Sequence, residues 1–199
     1  MNKIKNLIFD IGGVLIFQSE SCLDVNDHAL KLVPGTTKII VDDCFKQRTV
    51  DGNFNEKEYF MEMYSNLINW EKYQNIVSHL LSKEELNKDL VDWIDKNKGN
   101  NFRVYALSNN TIALNDVLRK KFKLKVFDRI FSSAEIGLVK PDPKLFKYVL
   151  DEISANPEDC LFIDNTEQHI KAANALGFKG ILFKNNRDFF SKIDSFNIL

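Results

Sequence analysis

Leu7-Ile8-Phe9-Asp10-Ile11-Gly12-Gly13-Val14-Leu15 is the stretch whose reading decides the fold. Ile4 to Phe9 is a short apolar run that stops at a carboxylate and a glycine pair. Continuous apolarity, rather than alternation, marks a strand buried on both faces, as in a parallel sheet. The glycines let the backbone turn tightly and bring N–H groups close to an anion.

The same arrangement recurs outward from this stretch. Phe102 to Leu107 ends in Ser108-Asn109-Asn110, and Cys160 to Ile163 ends in Asp164-Asn165. Between them, Gly137-Leu138-Val139-Lys140-Pro141 leads into Asp142-Pro143, an N-cap with proline at the first helical position, and a helix to about Ile153. Thr111 to Phe122 reads as an amphipathic helix, and Val126 to Ser132 as a loop and strand. Asn156-Pro157 starts a short turn. Gln168 to Leu176 reads as a helix stopped by Gly177, and Gly180 to Phe183 as a further strand. Strands alternating with helices predict an α/β fold: a Rossmann-like parallel sheet with helices on both faces.

The region from about Ser19 to Asn97 interrupts this series and looks helical. Asn55-x-x-Glu58 and Ser82-x-x-Glu85 are capping-box patterns. Tyr59, Phe60, Met63, Leu67 and Ile68 recur at helical spacing, and Trp70, Ile76, Val77, Leu80 and Leu81 continue the apolar supply. The bland role for these residues is helix-packing core. Only Lys38 to Val41 has a strand-like look. Linkers are expected near Phe17 to Ser21 and near Asn97 to Asn101. The chain thus divides into a core of 1–17 and 100–199 and a helical cap insertion over 18–99.

Composition narrows the function classes. Lys plus Arg number 27 against 28 Asp plus Glu, which gives no reason to propose a nucleic-acid or membrane-surface partner. No run reaches the roughly 18 apolar residues of a membrane span. Lys3 and Lys5 before an apolar stretch imitate a signal peptide, but Asp10 splits that stretch. Cys22, Cys44 and Cys160 are odd in number and far apart, which reads as reduced thiols in a cytoplasmic protein.

Ligands of open parallel sheets bind beyond the carboxyl ends of the strands. Asp10, Ser108 and Asp164 each stand there, and Lys140 adds a cation beside a restricted backbone. A carboxylate nucleophile, a hydroxyl, a fixed cation and a second carboxylate suit attack on an anionic substrate beside a divalent metal. Each residue also has a plainer reading. Asp10 could cap its own turn, Ser108 a helix, and Asp164 the Thr166 turn, while Lys140 could be a solvated lysine. Ser108 with Asn109-Asn110 offers a hydroxyl and backbone donors to phosphate oxygens.

These motifs, in this order, resemble the haloacid dehalogenase-like hydrolases, a superfamily dominated by phosphatases. The resemblance covers about residues 1–17 and 100–186. Phe131 to Phe146 looks like the third motif, and Asp164 to Ala173 followed by Leu176-Gly177 like the fourth. The helical insert corresponds to the family's cap, with Asp51-Gly52 in a loop facing the core. The resemblance implies Asp10 as the nucleophile that forms an aspartyl-phosphate, with Ser108, Asn109 and Lys140 on the phosphoryl group. It implies Mg²⁺ held by Asp10, the Gly12 carbonyl, Asp164 and Asn165. The implied partner is a small phosphorylated metabolite. Two positions depart from the pattern. Gly12 stands where most such phosphatases carry an acid–base Asp, and Asn165 where the direct metal ligand is usually acidic. These departures keep two other classes open: a metal-independent hydrolase of dehalogenase type, and a binding or regulatory protein with a degenerate site. Metal dependence separates the two enzymes.

Overall fold

The computed structural model describes residues 3–17, 27–28, 30–48, 53–99, 102–110, 125–196 and 198. The strands in chain order are β1 (Asn6–Phe9), β2 (Ile16–Phe17), β3 (Glu85–Leu86), β4 (Arg103–Ser108), β5 (Arg129–Ser132), β6 (Cys160–Asp164) and β7 (Lys179–Leu182). Five of them form a parallel sheet in the order β5-β4-β1-β6-β7. β2 and β3 form a separate antiparallel ribbon, with Ile16 opposite Leu86.

The apolar runs are continuous because both sheet faces are covered. Leu7, Phe9, Val104, Ala106, Leu161 and Ile163 pack on one side, and Ile8, Tyr105, Leu107 and Phe162 on the other. The helices are α1 (Thr36–Arg48), α2 (Glu56–Met63), α3 (Trp70–Ser82), α4 (Lys88–Asn97), α5 (Ser133–Ile136), α6 (Pro143–Ile153), α7 (Glu167–Ala175) and α8 (Asn186–Ile193). Leu90 and Ile94 of α4 and Phe189 and Ile193 of α8 cover the first face. Leu145, Phe146, Val149 and Ile153 of α6, with Ile170 and Ala173 of α7, cover the second. Helix α6 starts as its sequence predicts: the Lys144 amide donates to Asp142 Oδ1 at 2.8 Å, with Pro143 in the first turn. The expected helix over 111–122 lies outside the described residues.

The helical segment has a hydrophobic core of its own. Ile40, Val41 and Cys44 of α1, Phe60 of α2, Ile68, and Tyr73 and Ile76 of α3 pack together away from the sheet. Asn55 caps α2 by accepting from the Glu58 amide. Tyr59 and Tyr64 both donate to Asp43 Oδ2 at 2.6 Å, tying α2 to α1 and holding the Asp43 carboxyl below its ordinary range.

Four details differ from the sequence reading. Lys38 to Val41 is helical, because Ile40, Val41 and Cys44 bury one stripe of α1 while the Asp27 carboxylate accepts the Thr37 amide at its start. Ser82 ends α3 rather than opening a helix; its hydroxyl donates to the His79 carbonyl, and Asn87 caps α4 instead. Met63 and Leu67 are about half exposed, off the buried stripe. Helix α4, inside the segment expected as cap, packs on the sheet, so the chain re-enters the sheet's core at β3 and not near Asn97. Among the described residues no helix is long and apolar enough to cross a membrane.

Helix α8 lies beyond the last predicted strand, yet it anchors one face. Phe189 is fully buried, with its ring 6.1 Å from Phe9 and 5.6 Å from Trp93. Phe189→Ala is expected to cost about 3–5 kcal/mol in a urea titration. Met63→Ala, at a half-exposed site, should stay within about 0.5 kcal/mol of wild type.

Candidate active site

The order β4-β1-β6 brings the ends of three strands side by side. Phe9 stands opposite Ala106 on one flank and Ile163 on the other, and the Asp10 amide extends the ladder by donating to the Ile163 carbonyl at 2.8 Å. Asp10, Ser108 and Asp164 therefore leave the same edge of the sheet. Asp10 and Ser108 are buried, and Asp164 is fully so.

Lys140 joins them. Its Nζ donates to Asp10 Oδ1 at 2.6 Å, to Asp164 Oδ2 at 2.8 Å and to the Leu107 carbonyl at 3.0 Å. An ammonium has three donors, and all three are used. The solvated reading of Lys140 thus fails: the residue is only 1% exposed. Ser108 follows directly after the carbonyl that Lys140 grips. Burial alone would lower the lysine pKa, but Asp10 and Asp164 outweigh it and raise it above its ordinary value. For Asp10, burial is the larger effect and raises the pKa, the Asp164 charge adds to the rise, and Lys140 opposes both. For Asp164, burial is outweighed by the charge of Lys140 and the hydrogen bond from His169, which bring it down to about 2.

Two asparagine-centred devices hold the lysine and the loop before it. Asn109 Oδ1 accepts from the Lys140 amide at 2.8 Å, and its Nδ2 donates to the Lys140 carbonyl at 2.9 Å. Expected as a substrate ligand, Asn109 here spends its side-chain amide on the backbone of the cation. Next to it, the Asn110 amide donates to Ser133 Oγ at 2.8 Å, and that hydroxyl donates back to the Asn110 carbonyl. Ser132, opposite Ser108 in the register, is fully buried, and its hydroxyl has no hydrogen-bond partner among the described residues.

Asp164 serves both readings at once. Oδ1 caps the following turn by accepting the Thr166 amide at 2.7 Å, while Oδ2 faces Lys140. His169 Nδ1 also meets Oδ2 at 2.9 Å; against a carboxylate this nitrogen is the donor. The sequence reading missed His169 and Ser132. One signal was available for His169: it lies in the first turn of a helix that starts just after the acid, so its ring can reach back.

After Asp10 the chain doubles back. Ile11's carbonyl accepts from the Leu15 and Ile16 amides, and the Gly13 amide donates to the Ile16 carbonyl at 2.7 Å. Gly13 has φ +76°, and a Cβ there would lie 2.2 Å from Asn165 Nδ2, so the turn and Asn165 together require glycine. At Gly12 a Cβ would meet nothing within 4 Å. The position of the missing acid is open space. The groups expected to hold a metal offer oxygens: two carboxylates, the Gly12 carbonyl and the Asn165 amide. That set suits a hard cation such as Mg²⁺, which keeps several waters and needs few protein ligands. Thr166, His169 and Lys140 already occupy three of the roughly four lone-pair sites of Asp164. Among the described residues no group of three His, Cys, Asp or Glu side chains forms a ready-made cage.

Asn109→Ala strips both backbone partners from Lys140 and is expected to cost about 1–3 kcal/mol in a denaturant titration. Asn109→Asp keeps the acceptor for the Lys140 amide and places a carboxylate against its carbonyl, so it should not restore the loss.

The profile of the haloacid dehalogenase-like hydrolases matches residues 4–177. Drimenol cyclase drtB of Aspergillus calidoustus is 34% identical over 110 residues, 52% of this chain and 21% of its own length. Flavin mononucleotide hydrolase 1 of Arabidopsis thaliana is 33% identical over 85 residues, 42% of this chain and 34% of its own. The chain thus matches only a fraction of these relatives' length. A HAD family enzyme of Bacteroides thetaiotaomicron superposes with a TM-score of 0.76 at 21% identity, over 96% of this chain and 99% of its own. That enzyme has also been solved in complex with magnesium and inorganic phosphate. The match over 4–177, on a parallel sheet whose strand ends carry Asp10, Ser108 and Asp164 around Lys140, makes this chain a member of the haloacid dehalogenase-like hydrolases.

Proposed function

We propose that the chain is a Mg²⁺-dependent phosphatase that hydrolyses a small phosphorylated metabolite through an aspartyl-phosphate. The observation that carries this reading is Asp10 at the end of β1, with one oxygen gripped by Lys140 and the space beside it at Gly12 open. The magnesium and phosphate complex of the Bacteroides enzyme and the activity named for the Arabidopsis relative support it.

In this reading an Asp10 oxygen attacks phosphorus and the bond to the leaving oxygen breaks. With glycine at position 12, the leaving oxygen takes its proton from solvent. Water then attacks the phosphorus, the bond to Asp10 breaks, and inorganic phosphate and the free carboxylate result. Lys140 holds Asp10 in place and balances the charge that gathers there. Ser108 donates its hydroxyl to a phosphoryl oxygen, and Asn109 contributes by fixing the Lys140 backbone. Asp10, the Gly12 carbonyl, Asn165 and Asp164 would hold Mg²⁺, which when bound supplies positive charge to the phosphoryl oxygens. Asn165 brings an oxygen without a charge, so the site is a weak one. The segment between the ribbon strands, within the expected 18–99, is the cap, and the ribbon is its hinge. Cytoplasmic residence belongs to the same reading: Cys44 and Cys160 are buried and outside any disulfide.

A panel of phosphate monoesters assayed with Mg²⁺ and with chelator tests the proposal. Turnover should require Mg²⁺, and Asp10→Asn should lower it at least about 10³-fold with the fold intact by circular dichroism. Equal activity of Asp10→Asn and wild type overturns the mechanism. Metal-independent release of halide from a 2-haloacid would favour the dehalogenase class, and no turnover of either substrate type the binding class.

The open space at Gly12 gives a second test. Gly12→Asp supplies an acid where nothing obstructs its Cβ, and is expected to raise kcat about 10²-fold on alkyl phosphates. On p-nitrophenyl phosphate, whose leaving group needs no proton, the gain should be small. A uniform gain on both would place the added carboxylate in some other role.

A further inference from the structure

Asn87 is a buried polar residue that the chemistry above does not use. It follows β3, at the point where the chain passes from the ribbon into α4. Its side chain makes four hydrogen bonds. Nδ2 donates to the Val14 carbonyl at 2.9 Å and to Asn186 Oδ1 at 2.8 Å. Oδ1 accepts from Asn186 Nδ2 at 2.7 Å and, at 3.4 Å, from the Leu90 amide. Its backbone amide donates to the Leu15 carbonyl at 2.8 Å. A primary amide can make about four such bonds, so this one is saturated.

The plain account is an N-cap for α4. That bond is the longest of the set. The shorter bonds run to Val14, 73 residues away, and to Asn186, 99 residues away. Val14 and Leu15 close the loop that begins at Asp10 and carries Gly12 and Gly13. One side chain therefore joins that loop, the end of the ribbon, the start of α4 and the start of α8. Asn186 returns both bonds of its own amide to Asn87, which sets the plane of the Asn87 amide and aims its remaining donor at Val14.

We infer that Asn87 is a positioning residue that pins the 11–16 loop to the core end of the ribbon, with Asn186 as its support, so that movement of the helical segment about the ribbon leaves the backbone beside Asp10 in place. The inference concerns the loop's own stability. Its part in turnover rests on the phosphatase reading, but the loop can be tested without any substrate.

Serine separates capping from pinning. Asn87→Ser keeps a side chain able to cap α4 but too short to reach Val14 or Asn186. Native-state hydrogen exchange is read at the Gly13, Leu15 and Ile16 amides, which are bonded within the loop. In Asn87→Ser these should exchange about tenfold faster, the size expected for losing one or two buried hydrogen bonds, while amides of β6 keep wild-type rates. Asn186→Ala, in a partly exposed position outside the site, should give a smaller rise at the same three amides. Asn87→Asp retains capping and the bond from Asn186 Nδ2 but loses the donor, and should match Asn87→Ser. With p-nitrophenyl phosphate, kcat should fall in the order of the exchange changes with KM within about twofold. Wild-type exchange at 11–16 in Asn87→Ser and Asn87→Asp would overturn the inference, as would an acceleration spread evenly over the sheet. If the wild type turns over no phosphate ester, the exchange result still decides it.

Discussion

The ammonium of Lys140 is the constraint on which the site depends. Two carboxylates, one of them fully buried, stand at adjacent strand ends with little water to stabilise them. Without a cation between them, at least one would hold a proton. Lys140 opposes that conflict with bonds of 2.6 and 2.8 Å and spends its third donor on Leu107. With both carboxylates ionised, the two acids and Lys140 carry a net single negative charge, which favours a cation as the next arrival. The arrangement also explains why so much of the neighbouring polar structure serves Lys140 and its partners: Asn109 on its backbone, and His169 and Thr166 on Asp164.

The fold was legible where the sequence is punctuated by physics. Apolar runs that end abruptly in Asp10, Ser108 and Asp164 mark strands buried on both faces, and the structure pairs all three side by side. Asp142-Pro143 marks a helix start, and the capping bond is there. Local signals failed where tertiary packing decides. The run Lys38 to Val41, with its three β-branched residues, resembles a strand, yet a buried stripe toward Phe60 and Tyr73 makes it helical. Helix α8 has few apolar residues, and exists because Phe189 and Ile193 complete the sheet's cover.

The candidate site divides the same way. The residues proposed to do the chemistry could be singled out, because their types and strand-end positions carry meaning on their own. The residues that hold them could not. Asn109 reaches Lys140 across 31 residues, and Asn87 reaches Val14 across 73. An asparagine in a sequence does not reveal which distant carbonyl it will meet. His169 is intermediate: a helical turn links it to Asp164, and a reader could have drawn the line.

Among the described residues, the buried cluster of the helical segment, around Phe60, Tyr73 and Ile40, shares no residue with either face of the sheet. The short β2–β3 ribbon links the two, and Asn53 of the helical segment lies close to Gly137 of the core. Substitutions in one cluster and in the other share no described buried partner, so their energetic effects should add nearly independently. For a lineage, this means that the helical segment, the proposed cap, can drift, lengthen or be exchanged while the sheet keeps its stability. Under the proposed function, selectivity and chemistry can then evolve at different rates.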